Sequence, residues 1–108
     1  GFPEQATNKG DYLLRALTAA LADHPHVGDI RGKGLMCAVE LVQDKSTKQP
    51  FKPSDQIGLR VNQAATARGL FSRIKGDSYL LAPAVIITTA QMDQAVQILT
   101  ESIRDVLD

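Results

Sequence analysis

Gly69-Leu70-Phe71-Ser72-Arg73-Ile74-Lys75-Gly76-Asp77, continued by Ser78-Tyr79-Leu80-Leu81-Ala82-Pro83, is the stretch whose reading decides the fold. Leu70 to Ile74 reads as a strand, Gly76-Asp77 as a hairpin turn pair, and Ser78 to Ala82 as the returning strand. Pro83 ends it, since proline cannot donate to a ladder. Strand alternation sets Phe71 and Arg73 on one face and Leu70, Ser72 and Ile74 on the other. Before the hairpin, Ser54 reads as an N-cap with Asp55 in the first turn. The helix it opens runs to about Arg68, with Ile57, Val61, Ala64 and Ala65 turned inward. Gly69 fits the left-handed position that closes such a helix.

The same reading extends outward in both directions. Thr7 to Asp23 has helical periodicity through Leu14, Leu17 and Leu21, with Leu13 and Ala20 beside them. Asp23-His24-Pro25 stops it, because a residue before proline is pushed out of helical geometry. Val27 to Arg31 is short and extended, and Gly32 and Gly34 bracket Lys33 in a turn. Leu35 to Val42 alternates with both faces largely apolar, which predicts a strand covered on both sides. Gln43 to Ser54 is a polar surface connection. At the far end, Thr88 and Gln91 have capping-box spacing. Met92, Val96, Leu99, Ile103 and Val106 then form one stripe. Helix, two strands, helix, two strands, helix predicts an α+β domain: a small, mainly antiparallel sheet with helices packed on one face.

A chain of 108 residues is expected to form one domain with one modest core. Its twelve basic and twelve acidic residues cancel, so no basic face for nucleic acid is implied. Cys37, the single cysteine, excludes an internal disulfide and reads as a buried inert thiol, compatible with a reducing cytoplasm. No apolar run reaches the ~20 residues of a membrane span. No signal peptide opens the chain, whose first residues read as an abrupt start.

The residue types that could carry chemistry are few. His24 and His26 flank Pro25 in a loop and read as surface histidines, not as a zinc site. Nothing orients either of them toward Cys37 as a nucleophile pair. Gly32-Lys33-Gly34 is too short for a phosphate-binding loop and lacks the following Ser or Thr. Lys33, between glycines in a turn, reads as a solvated cation rather than a Schiff-base lysine. Arg73 is different. An arginine amid apolar neighbours on a short strand costs burial energy unless it is paired. Either it forms a structural ion pair with Asp77 or Glu40, or its guanidinium fork is held out for a carboxylate. The residues leave these two readings even. Arg31, beside Gly32, has the same ambiguity, with the structural role favoured.

Several motifs occur in one order: Asn8 with Gly10, the leucine-rich helix, Val27-Gly28-Asp29-Ile30-Arg31-Gly32-Lys33-Gly34-Leu35-Met36, Glu40-Leu41-Val42, Arg68-Gly69-Leu70, Arg73, Gly76-Asp77, Leu81-Ala82-Pro83 and Ile86-Ile87-Thr88. From about Asn8 to Val106 this closely resembles the C-terminal small domain of class III, pyridoxal-phosphate-dependent aminotransferases. The resemblance implies that residues 1–108 follow a large cofactor-binding domain of the same polypeptide. That domain supplies the Schiff-base lysine, the aspartate for the pyridine nitrogen and most phosphate contacts. It further implies that the small domain closes over the substrate and that Arg73 meets the substrate carboxylate.

Ornithine-type relatives carry an arginine where this chain has Leu80. The match is therefore nearer the ω-amino acid:pyruvate, β-alanine or diaminopelargonate types. The chain departs from the family's paired prolines at Pro83-Ala84. The implied parent transfers an amino group from an ω-amino acid or amine to an α-keto acid such as pyruvate. It is expected to be a cytoplasmic homodimer using pyridoxal 5'-phosphate, with no nucleic-acid or membrane partner. The 108-residue chain alone is expected to lack the catalytic lysine, bind no cofactor and be inactive. Arg73 is its candidate substrate-binding residue, and no catalytic, cofactor-binding or metal-ligating residue is assigned to it. The alternatives are a free-standing α+β module that binds a small carboxylate through Arg73, and a purely structural fragment left by proteolysis.

Overall fold

The computed structural model describes residues 2–34, 36–82 and 88–108, with backbone alone for 2–6. Its elements run α1 (Phe2–Leu21), β1 (Val27–Lys33), β2 (Met36–Leu41), a 3-10 turn (Pro53–Asp55), α2 (Ile57–Ala67), β3 (Arg73–Lys75), β4 (Ser78–Leu81) and α3 (Thr89–Leu107). The strands form one antiparallel sheet in the order β1-β2-β4-β3. All three helices contribute to a core on one face of it, which is the expected α+β architecture.

Strand parity separates the two faces. Cys37, Val39 and Leu41 of β2 and Tyr79 and Leu81 of β4 enter the core. They meet Leu13, Leu17 and Leu21 of α1, Ile57, Val61 and Ala65 of α2, and Met92, Val96, Leu99 and Ile103 of α3. The opposite face is open: Met36 is 62% exposed, and Asp29, Arg31, Lys33, Arg73 and Lys75 are exposed with it. The expected double cover of β2 is therefore partial: Ala38 and Val42 on this face are buried, while Met36 and Glu40 reach solvent. Apolar side chains at alternate positions do not require a second layer, because folded surfaces keep much apolar area.

Local departures from the sequence reading have local causes. Helix α1 begins at Phe2 rather than Thr7 and ends at Leu21 rather than Asp23. Pro3 is tolerated there because first-turn amides have no intrahelical partner. The buried stripe of α1 is Leu13, Leu17 and Leu21, while Leu14 is half-buried and Ala20 exposed. Strand β1 continues through Lys33, and of the Gly32-Lys33-Gly34 bracket only Gly34 is left-handed, at φ 57°. Ser54 is not an N-cap: it lies in the 3-10 turn, and Gln56, left-handed and without a side-chain cap, precedes α2. Gly69, at φ 93°, closes α2 as expected.

Strand β3 starts at Arg73, three residues late. The Leu70 amide still donates to the Ala65 backbone carbonyl at 2.9 Å, and the Ser72 hydroxyl donates to the Leu80 carbonyl. The Thr88–Gln91 capping box forms in both directions, at 3.1 and 2.9 Å. The expectations for Leu35, Pro83-Ala84 and Ile86-Ile87 lie outside the described residues.

Candidate functional site

Register places four residues in one row across the open face: Arg31 opposite Ala38, Ala38 opposite Leu80, and Leu80 opposite Arg73. Two guanidiniums thus stand at opposite edges of the sheet over an apolar floor, separated at the backbone by three strand spacings, roughly 14 Å. Their surroundings differ. Arg31 donates to Asp29 at 3.1 Å and lies 3.6 Å from Glu40. Arg73 has neither of the ion pairs open to it in sequence. Glu40 faces Arg31, and Asp77 Oδ1 accepts the Gly58 amide proton at 2.8 Å. Among the described residues no carboxylate pairs with Arg73.

Arg73 borders a cleft of about 550 Å³ with Phe71, Met36, Leu80 and Ala82 among its walls. Phe71, which lines the same cleft, is 78% exposed. Such a mouth can take a carboxylate on the guanidinium fork while the apolar walls receive the carbon chain behind it.

Titratable groups elsewhere are committed to the fold. Burial pushes the Cys37 thiol up, consistent with an inert core cysteine. Burial also pushes Tyr79 up to about 12, with the nearby Ser72 hydroxyl working against it. That hydroxyl is taken by the Leu80 carbonyl, and Tyr79 Oη has no hydrogen-bond partner in the described structure.

His24 and His26 are not the surface histidines expected. His24 Nδ1 accepts the His26 amide proton at 3.1 Å, which leaves Nε2–H to donate to Asp108 at 2.9 Å. The His24 side chain is 8% exposed. His26 bonds the Val42 carbonyl at 3.0 Å and packs on Phe51, with ring centroids 5.4 Å apart. Among the described residues no three His, Cys, Asp or Glu side chains gather as a metal site requires. No described helix is long and apolar enough to cross a membrane.

A pyridoxal-phosphate site needs a desolvated lysine beside a phosphate cradle. Lys33, Lys52 and Lys75 are exposed. The Lys45 and Lys48 ammoniums donate to the backbone carbonyls of Ala22 and Gly28, strapping the 43–52 loop onto α1 and β1. Each of these five lysines is either exposed or has its ammonium bonded to a backbone carbonyl.

The arrangement of three helices on one face of a four-stranded antiparallel sheet is shared with solved transaminases. The class III aminotransferase family model matches residues 1–103, and the chain belongs to that family. It is 37% identical over 98 residues to a taurine–pyruvate aminotransferase of Bilophila wadsworthia, covering 86% of this chain and 22% of that protein. It superposes on an (S)-enantioselective omega-transaminase from Thermomicrobium roseum with a TM-score of 0.92 and 38% identity, covering 97% of this chain and 23% of the other. The PMP-bound form of an aminotransferase from Vibrio fluvialis gives 0.91 and 33%, with 98% and 23% covered. The chain spans about a quarter or less of the length of the curated relatives it matches.

Sequence reasoning singled out Arg73 and Arg31 but missed Gly58 as the partner of Asp77. The available signal was a glycine in the first turn of an otherwise periodic helix, which marks a close backbone approach.

Proposed function

We propose that residues 1–108 are the C-terminal, substrate-closing small domain of a longer pyridoxal-phosphate-dependent class III aminotransferase. The parent moves an amino group from an ω-amino acid or amine to an α-keto acid such as pyruvate. Arg73 holds the substrate carboxylate. The Schiff-base lysine and the phosphate contacts come from a large domain of the same polypeptide, the parent works as a cytoplasmic homodimer, and the isolated chain is inactive.

One observation carries the reading: Arg73 is an exposed guanidinium, without a carboxylate partner among the described residues, at the mouth of an apolar-walled cleft. The taurine–pyruvate and omega-transaminase relatives support the substrate class, and the PMP-bound relative supports the cofactor. The lysines described above support placing the cofactor's lysine elsewhere.

The test is Arg73→Ala in the full-length enzyme, assayed with a matched amino acid and a neutral amine. The amine half-reaction is followed alone, because the keto acid acceptor also presents a carboxylate. Loss of a charged, bidentate contact is expected to cost roughly 2–4 kcal/mol in kcat/KM for the acid and little for the amine. Equal losses for both donors would reject Arg73 as the carboxylate site.

A further inference from the structure

Strand β3 is a weak element by itself. It has three residues and, among the described residues, lies at the edge of the sheet and pairs only with β4. A short edge strand has little of its own to hold a side chain in place. Yet Arg73 is its first residue, and a bidentate grip on a carboxylate tolerates little misplacement.

The segment bearing Arg73 is pinned to α2 at both ends. At its entry, the Leu70 amide donates to the Ala65 carbonyl at 2.9 Å and the Gly69 amide to Thr66 at 3.0 Å. At its exit, Asp77 Oδ1 accepts the Gly58 amide proton at 2.8 Å. Helix α2 has no side-chain cap from Gln56, its own N-cap residue, so Asp77 supplies from a distant turn the acceptor and the negative charge that a helix start favours.

Gly58 makes this approach possible. A Cβ there would stand 2.2 Å from the Gly76 carbonyl oxygen and 3.0 Å from Asp77 Cα. Both of those atoms are backbone and cannot turn aside. Gly76 itself is left-handed at φ 59°, and its Cβ position faces open space, so it serves the turn rather than the contact. Arg73 lies three residues from Leu70 and three from Gly76.

We infer that Asp77, through its bond to Gly58, is a positioning residue for Arg73: it fixes the backbone from which the guanidinium reaches the substrate carboxylate. This rests on the reading of Arg73 as the carboxylate site. It predicts that damage at Asp77, whose carboxylate is engaged by the Gly58 amide, selectively weakens binding of carboxylate-bearing substrates.

The experiment uses the full-length holoenzyme with Arg73→Ala, Asp77→Ala, Asp77→Asn and Gly58→Ala, each followed in the donor half-reaction alone with an amino acid and with a neutral amine. Amide hydrogen exchange is measured alongside. Asp77→Ala is expected to raise KM for the amino acid about three- to tenfold, the equivalent of one hydrogen bond. KM and kcat for the amine should stay within about twofold. Exchange at Gly58 and across 70–76 should accelerate. Asp77→Asn, whose side-chain carbonyl still accepts the Gly58 proton, should recover most of the amino acid KM and the protection. Gly58→Ala should reproduce the donor-selective loss by displacing the turn.

If Arg73→Ala discriminates between the donors but Asp77→Ala affects both equally or neither, the positioning role is overturned and the carboxylate site stands. If Arg73→Ala does not discriminate, the carboxylate site falls and the positioning role falls with it. Failure of Asn to rescue while Gly58 protection returns would also overturn it.

Discussion

The two faces of the sheet carry similar strand sequences to opposite ends. On the helix-covered face, Val39 and Tyr79 stand opposite each other with no exposed surface, and Leu41 is sealed beside them. On the open face of the same strands, Met36 and Glu40 reach solvent while Ala38 forms a floor between two arginines. The covered face concentrates stability: apolar burial is worth about 25 cal/mol per Å². The open face concentrates charge, with Arg73 and Lys75, which have no carboxylate partner among the described residues, along the β3 edge and an Asp29–Arg31–Glu40 ion-pair cluster toward β1. The difference teaches that alternation assigns a side chain to a face, and that the partners found there decide whether a charge is structural or available.

The widest gap between the faces should appear in truncation. Leu41→Ala or Leu99→Ala, deep in the core, is expected to cost about 2–5 kcal/mol. Phe71→Ala removes a larger side chain from the open face and should stay within about 0.5 kcal/mol in the isolated chain. Denaturant midpoints at constant m-value measure both. A large cost for Phe71 would show that the open face is internally covered and would erase the contrast.

Alkali should attack the covered face next. Tyr79 titrates at about 12 when folded, above its ordinary 10.0. A raised pKa on an acid means the folded state favours the neutral phenol. The associated stability is complete below pH 10 and is lost as pH rises from about 10 through 12. Cys37, also raised by burial, adds a loss of the same sign. Tyr79→Phe should therefore flatten the fall above pH 10. At neutral pH it should change stability by no more than about 1 kcal/mol, since the hydroxyl it removes has no hydrogen-bond partner in the described structure. An unchanged alkaline limb in Tyr79→Phe would mean the phenol is not what the core protects.

The smallest effect is expected at the β1 edge. Arg31 and its two carboxylates are each about half-exposed, so Arg31→Ala should cost roughly 0–1 kcal/mol, less at high salt. It should leave the preference between acid and amine donors in the full-length enzyme unchanged. A donor-selective loss from Arg31→Ala would make the two arginines a shared site and would sharpen the open face into one binding surface.

What the linear chain determined about itself was whatever depends on near neighbours. Periodicity placed the helices, alternation set Arg73 opposite in sense to Ile74, Gly69 closed α2, and Thr88 with Gln91 capped α3. Those interactions span four residues or fewer, so residue types at fixed spacing suffice to read them.

The tertiary structure alone decided the rest. Which carboxylate answers which arginine depended on Glu40 meeting Arg31 across a strand pair. The cap of α2 came from Asp77, nineteen residues from Gly58, rather than from the adjacent Ser54. His24 left the surface because Asp108, eighty-four residues away, closes on its Nε2. In each case a polar group has several chemically equivalent partners along the chain. Only the folded path, by bringing one of them within hydrogen-bond distance and removing water from the others, selects between them.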